Sequence, residues 1–208
     1  MITRRAKRQP AVHMLASEFS ESTLHEKGSG EYDPSFIITK LGAKVNRVVV
    51  SGMLERLEPR ETSNGATIWQ GQLRDPSGLH YFSVGDYESE SMRELVIDAS
   101  KKLESGDTLL MLMVAKARFF QNDEGAIYTS IRPEEGAIIG PSRYRQWLYE
   151  ACKQTLTRIS NHQKAYSCEA NAEAYAESGI EREWINGLLL SRGHYEMVDI
   201  EQYKFNLL

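Results

Sequence analysis

Thr67-Ile68-Trp69-Gln70-Gly71-Gln72-Leu73-Arg74-Asp75-Pro76-Ser77-Gly78-Leu79-His80-Tyr81-Phe82-Ser83-Val84 reads as two strands and the turn between them. In the first half Trp69, Gly71 and Leu73 alternate with Gln70, Gln72 and Arg74, which is the period of a half-buried strand. Asp75-Pro76-Ser77-Gly78 has aspartate, proline and glycine at the first, second and fourth positions of a type I turn. A two-residue loop there sets position 72 opposite 81 and 71 opposite 82. Gln70, Gln72, Arg74, Tyr81 and Ser83 then share one face, and Trp69, Gly71, Leu73, Phe82 and Val84 the other. A slip of one residue would mix the two sets, so the buried face specifies this register.

Upstream, the β-branched run from Val45 to Leu57 reads as another strand, with Gly52 where a barrel strand must bend. A polar loop, Glu58 to Ala66, with Pro59 and Asn64-Gly65, separates it from the hairpin. Downstream, Met92, Leu95, Val96, Ala99 and Leu103 recur at helical spacing across Ser89 to Leu103. Thr108 to Phe120 opens as an apolar strand and then places Lys116, Arg118 and Phe120 on alternate positions. Asp123-Glu124-Gly125 suits a three-residue connection with glycine in the left-handed position of a bulge. That connection pairs Phe120 with Tyr128, Arg118 with Ser130 and Lys116 with Arg132. The order strand, strand, strand, helix, strand, strand is that of an OB-fold, a mainly β, five-stranded barrel with a helix between strands three and four, here followed by C-terminal helices.

The face carrying Lys116, Arg118, Arg132, Phe120 and Tyr128 has the composition of a single-strand binder, with rings for bases and cations for phosphates. Gln70, Gln72, Arg74 and Tyr81 are expected to line the same groove, under the loops Glu58 to Ala66 and Gln121 to Ala126. The same alternation also fits rings in the barrel core and cations on a solvated face, because alternation does not say which side of a barrel is inside.

Charge pulls against nucleic-acid binding. The chain of 208 residues has a formal net charge of −4, and residues 44–135 hold eleven Lys and Arg against fifteen Asp and Glu. Any DNA site must be a local patch rather than a basic domain. Two cysteines, Cys152 and Cys168, are too few for a disulfide framework, and neither a membrane-spanning run nor a signal-peptide core occurs in the sequence, so a cytoplasmic protein is expected. Phosphate loops, GxSxG, HExxH and CxxC motifs are absent, and Cys152, His162, Cys168 and His194 lack the paired spacing of a metal site. A protein without catalysis, metal or cofactor is expected.

Four regions follow: 1–43, an arm with a basic run (Arg4, Arg5, Lys7, Arg8), a short amphipathic stretch from Ala11 to Phe19 and a polar, mobile segment from Ser20 to Asp33; 44–140, the barrel; 141–160, a helix; and 161–208, a small helical region that must lean on the barrel or a partner. The helix opens at Pro141 and carries an apolar stripe of Tyr144, Trp147, Leu148 and Ala151. The stripe fits packing on the barrel or a partner helix; the second is the expectation here, with Trp147 as anchor against a partner subunit or a second copy.

Ala43-Lys44-Val45-Asn46-Arg47-Val48, Asp75-Pro76-Ser77-Gly78, Val84-Gly85-Asp86-Tyr87, Lys116-Ala117-Arg118 and Tyr128-Thr129-Ser130-Ile131-Arg132-Pro133-Glu134 together resemble the archaeal replication protein A-associated proteins, the small, middle-subunit-like partners of archaeal replication protein A. The resemblance runs from the N-terminal segment to about Ile159. It implies an OB-fold that binds single-stranded DNA in replication and repair beside a large replication protein A subunit, and it implies no catalytic residues. The family's third strand carries a second aromatic where this chain has His80 and Ser83, which implies less stacking from that strand. An adaptor, whose barrel contacts protein while the partner holds the DNA, is the alternative that the acidity favours.

Overall fold

A computed structural model describes residues 8–28, 33–63 and 65–207. Arg4, Arg5 and Lys7 of the basic run, Asn64 of the expected turn and residues 29–32 of the expected polar segment lie outside them. In chain order the elements are β1 (Ala11–His13), α1 (Ala16–Ser20), β2 (Leu24–Glu26), β3 (Phe36–Ile38), β4 (Lys44–Val45), β5 (Arg47–Glu61), β6 (Thr67–Asp75), β7 (Gly78–Val84), α2 (Glu90–Glu104), β8 (Leu110–Gln121), β9 (Ile127–Ile139), α3 (Pro141–Tyr166), α4 (Ala172–Glu177), α5 (Arg182–His194) and α6 (Ile200–Phe205). Among the described residues no helix is long and apolar enough to cross a membrane.

Five strands close a mixed barrel in the order β5-β6-β7-β9-β8, with β8 pairing back onto β5. All contacts around it are antiparallel except β7–β9, which is parallel at Phe82 and Ile131. This is an OB-fold-like arrangement. The long strand β5 makes closure feasible: Arg47 to Met53 pair with β8, and Met53 to Glu61 with β6. Gly52 lies at the changeover, where a Cβ would stand 2.4 Å from the Arg74 carbonyl oxygen, so only glycine lets the two strands approach. Val48, Val50, Leu54, Leu73, Phe82, Val84, Met111, Met113 and Ile131 fill the interior. Helix α2, capped by the Ser89 hydroxyl accepting from Met92 N–H, adds Met92, Val96 and Ala99 to that core.

The flanks are more ordered than the sequence suggests. The stretch from Ala11 to Phe19 is β1, laid parallel on β5, followed by α1. Part of the expected mobile segment is β2, which joins β3 and β4 in a second, three-stranded sheet. The C-terminal helices clamp that sheet. Tyr195 donates its hydroxyl to Ile38 O at 2.8 Å and accepts from Thr23 N–H and Leu24 N–H at 3.0 and 3.1 Å.

Helix α3 corrects the expected assembly role of Tyr144, Trp147, Leu148 and Ala151. Trp147 is 3% exposed, and Ala151 is fully buried. Both pack with Leu15, while Tyr144 and Leu148 are half-buried in the same cluster beside Val49 and Leu112. The indole Nε1–H donates to Val49 O at 3.0 Å. Trp147 and Ala151, the centre of the stripe, are covered by this chain's own β5, β8 and N-terminal segment, with Leu15 packed against both. The helix also continues without a break through residue 160 to Tyr166.

Candidate nucleic-acid interface

Asp75 anchors the β6–β7 hairpin. Its Oδ1 accepts from Ser77 N–H, Ser77 Oγ–H and Gly78 N–H at 2.8, 2.7 and 3.1 Å, and its Oδ2 accepts from Ala16 N–H at 2.8 Å. Burial alone would raise this carboxyl, but the neighbouring His80 imidazole, the Ser77 hydroxyl and Ala16 N–H outweigh it and hold the group below the usual carboxylate range. The turn is thereby tied to α1, and the ladder starts in a fixed register.

That register is the one implied by a two-residue loop: Gln72 opposite Tyr81, Gly71 opposite Phe82, Gln70 opposite Ser83 and Arg74 opposite Leu79. Gln70 and Arg74 are exposed, Gln72 is half-buried, and Tyr81 is 48% exposed. Trp69 is half-buried against the barrel core. Gly71 faces inward, where a Cβ would meet the Phe82 ring at 2.1 Å, so the Phe82 ring occupies the space below the strand. Above it lies a groove of about 330 Å³ lined by Arg56, Glu58, Gln70, Gln72, Tyr81, Ser83 and Ser130.

Ser130 carries the groove across to β8 and β9. It pairs with Arg118, and the next same-face pair along the ladder is Phe120 with Tyr128; Lys116 pairs with Arg132 on the other side. Phe120 is 63% and Tyr128 57% exposed. The nine residues assigned to nucleic acid from the sequence thus all reach the outer face of the barrel. At the tip of the β8–β9 hairpin, Asn122 Oδ1 accepts from Ala126 N–H at 2.7 Å, and Gly125 takes a φ of 84°.

Carboxylates occupy most of the cations. Arg74 pairs with Glu55, and Arg132 pairs with Glu88 while donating to Tyr87 O at 3.3 Å. Lys116 is 4.0 Å from Glu134, which also accepts from Arg47 Nε at 2.6 Å. Arg118 is exposed and has no hydrogen bond or ion pair among the described residues. Of the four predicted cations, then, Arg118 alone among the described contacts is unneutralised.

Arg56, Glu58, Ser83 and Ser130 line the groove without having been assigned to it from sequence. Glu58 reads as the start of a loop because of Pro59, whereas β5 runs on to Glu61 and pairs Glu58 with Gln70 and Pro59 with Trp69; Arg56 lies in the expected strand, but its pairing with Gln72 across the groove is fixed only by the β5–β6 register. Past Leu54, whose N–H donates to Leu109 O at 2.8 Å, the strand pairs on one side only, and an open edge tolerates a residue without an N–H. The expected loop Glu58 to Ala66 is therefore a two-stranded arm, closed at its tip by Thr62 N–H donating to Ala66 O at 2.8 Å. Cys152, His162, Cys168 and His194 do not gather: no group of three His, Cys, Asp or Glu suited to a metal occurs among the described residues.

No protein-family model matches the chain, and no curated protein matches it. Among solved structures, the OBody NL8 bound to hen egg-white lysozyme is similar to part of it, with 11% identity and a TM-score of 0.36 over 45% of this chain and 93% of that one.

Proposed function

We propose that the chain is a single-stranded DNA-binding subunit built on an OB-fold, acting without catalysis beside a larger subunit of archaeal replication protein A type in replication and repair. The strand order, with its parallel β7–β9 contact and α2 between the third and fourth barrel strands, supports the OB-fold assignment. The observation that carries the function is the set of exposed rings Tyr81, Phe120 and Tyr128 around Arg118, contiguous with the groove. Large rings left in water on one face offer stacking platforms, and stacking tolerates any base. The partnership rests on the sequence resemblance, and the large-subunit contact must use a surface other than the Trp147 face.

The adaptor reading is favoured by one observation: Glu55, Glu88 and Glu134 sit against Arg74, Arg132 and Lys116, so a phosphate has to compete with a carboxylate at three of four cations. The two readings separate in titrations of a labelled oligonucleotide at several salt concentrations. A DNA-binding subunit gives a linear log-log salt dependence and loses about 1–3 kcal/mol per ring in Phe120→Ala and Tyr128→Ala. Equal binding by the folded double variant and the wild type would reject the face.

A further inference from the structure

A second cleft begins where the barrel face ends. Phe120, whose outward ring belongs to that face, also forms one wall of a cleft of about 560 Å³ between β2, the β8–β9 hairpin and the end of α5. His25, Lys27 and His194 also line it. The His25 imidazole stacks on Phe119 with centroids 4.6 Å apart and planes 12° apart, and His194 Nε2 lies 3.1 Å from Thr23 Oγ1, which fixes both imidazoles. No carboxylate lines this cleft, in contrast to the groove over β6 and β7, where Glu58 does. Lys27 and His194 are exposed, and neither makes an ion pair among the described residues. In an acidic chain, then, a volume adequate for a small polar ligand is bounded by rings and nitrogen groups and lies end to end with the proposed binding face.

We infer that this cleft is an extension of the nucleic-acid path: a single strand lying on the barrel passes Phe120 and places its following nucleotides between β2 and the β8–β9 hairpin, with phosphate facing Lys27 and His194 and a base against the His25–Phe119 pair. The inference rests on the nucleic-acid reading of the barrel face. The order of the groups supports it, because Arg118, Phe120 and then the cleft follow one another along β8. Rings alternating with uncompensated nitrogens are what a groove tracking a single-strand backbone needs. The contributors come from outside the barrel, β2 from the N-terminal segment and His194 from the C-terminal helices. The clamp made by Tyr195 holds those two pieces together and so also shapes the cleft.

Fluorescence anisotropy with labelled oligothymidines of increasing length tests this on the full chain. Lys27→Gln/His194→Gln is expected to bind the shortest oligonucleotides like the wild type and to lose about tenfold on long ones, with a shallower salt slope there. Tyr81→Ala is expected to weaken binding at every length. Lys27→Glu alone, which leaves the Thr23–His194 contact in place, should repeat the length-dependent loss. If both cleft variants match the wild type at all lengths while Tyr81→Ala is weakened, the cleft is excluded and the barrel face stands. A uniform loss at every length excludes the cleft as an extension. Failure of the wild type to bind any length at low salt removes the barrel reading and the cleft together.

Discussion

Arg158 of α3 and Glu18 of α1 form an ion pair, 2.8 Å from Nη2 to Oε2, with both side chains fully buried. Arg158 Nε donates to Glu18 Oε2 at 2.9 Å, its Nη2 donates to Thr155 Oγ1 and to His13 O, and Thr39 Oγ1 donates to Glu18 Oε1 at 2.9 Å. Three segments far apart in sequence thus meet at one carboxylate. Removing a single partner leaves the other charge buried and uncompensated, so Arg158→Met is expected to cost about 3–5 kcal/mol in urea unfolding, and Glu18→Leu/Arg158→Met much less than the sum of its two single variants. Additive single effects would show that the pair does not act as a unit.

Trp147→Ala should destabilise the monomer rather than release a partner. It removes a buried indole and its bond to Val49 O, for which about 3–5 kcal/mol is the ordinary cost. Thermal unfolding should drop sharply. Unchanged stability with lost association would instead restore the partner-facing role.

Arg118→Gln is expected to lower the log-log salt slope of oligonucleotide binding by about one. Arg74→Gln should lower it less, because Glu55 already neutralises that guanidinium in the free protein. Equal changes in the two variants would mean that the ion pairs open on binding.

His162 makes stability pH-dependent. Burial, aided by the nearby Arg192 charge, pushes its pKa from 6.5 down to about 4, and the ring stacks on Tyr166 at 4.5 Å. A lowered native pKa means that the unfolded chain takes up the proton first as pH falls below 6.5. Stability therefore declines between pH 6.5 and about 4, by at most about 1.4 kcal/mol per pH unit from this group. His13 and His25, lowered mainly by burial, act in the same direction. His162→Phe keeps a ring against Tyr166 and should flatten the curve across that window. Identical urea midpoints against pH for variant and wild type would exclude His162 as the source.

Local pattern was enough for the two hairpins. A side-chain period of two, with one face that must be apolar and a turn of known loop length, leaves a single register, and Gln72 faces Tyr81 and Phe120 faces Tyr128 accordingly. Gly52, expected at a bend, lies where β5 changes partner from β8 to β6, and no larger residue fits the close approach to Arg74 there. Three other matters belong to the tertiary structure. Pro59 reads as a loop residue until one knows that its strand has an open edge. The apolar stripe of α3 has the same spacing whether it faces a second protein or its own barrel, and Leu15, brought in by the β1–α1 segment, decided for the barrel. The cations of the outer barrel face look free in sequence, but Glu55 and Glu88 reach Arg74 and Arg132 across separations of 19 and 44 residues. Alternation reports which face a side chain joins; which charges meet on that face depends on how the strands are brought side by side when the barrel closes.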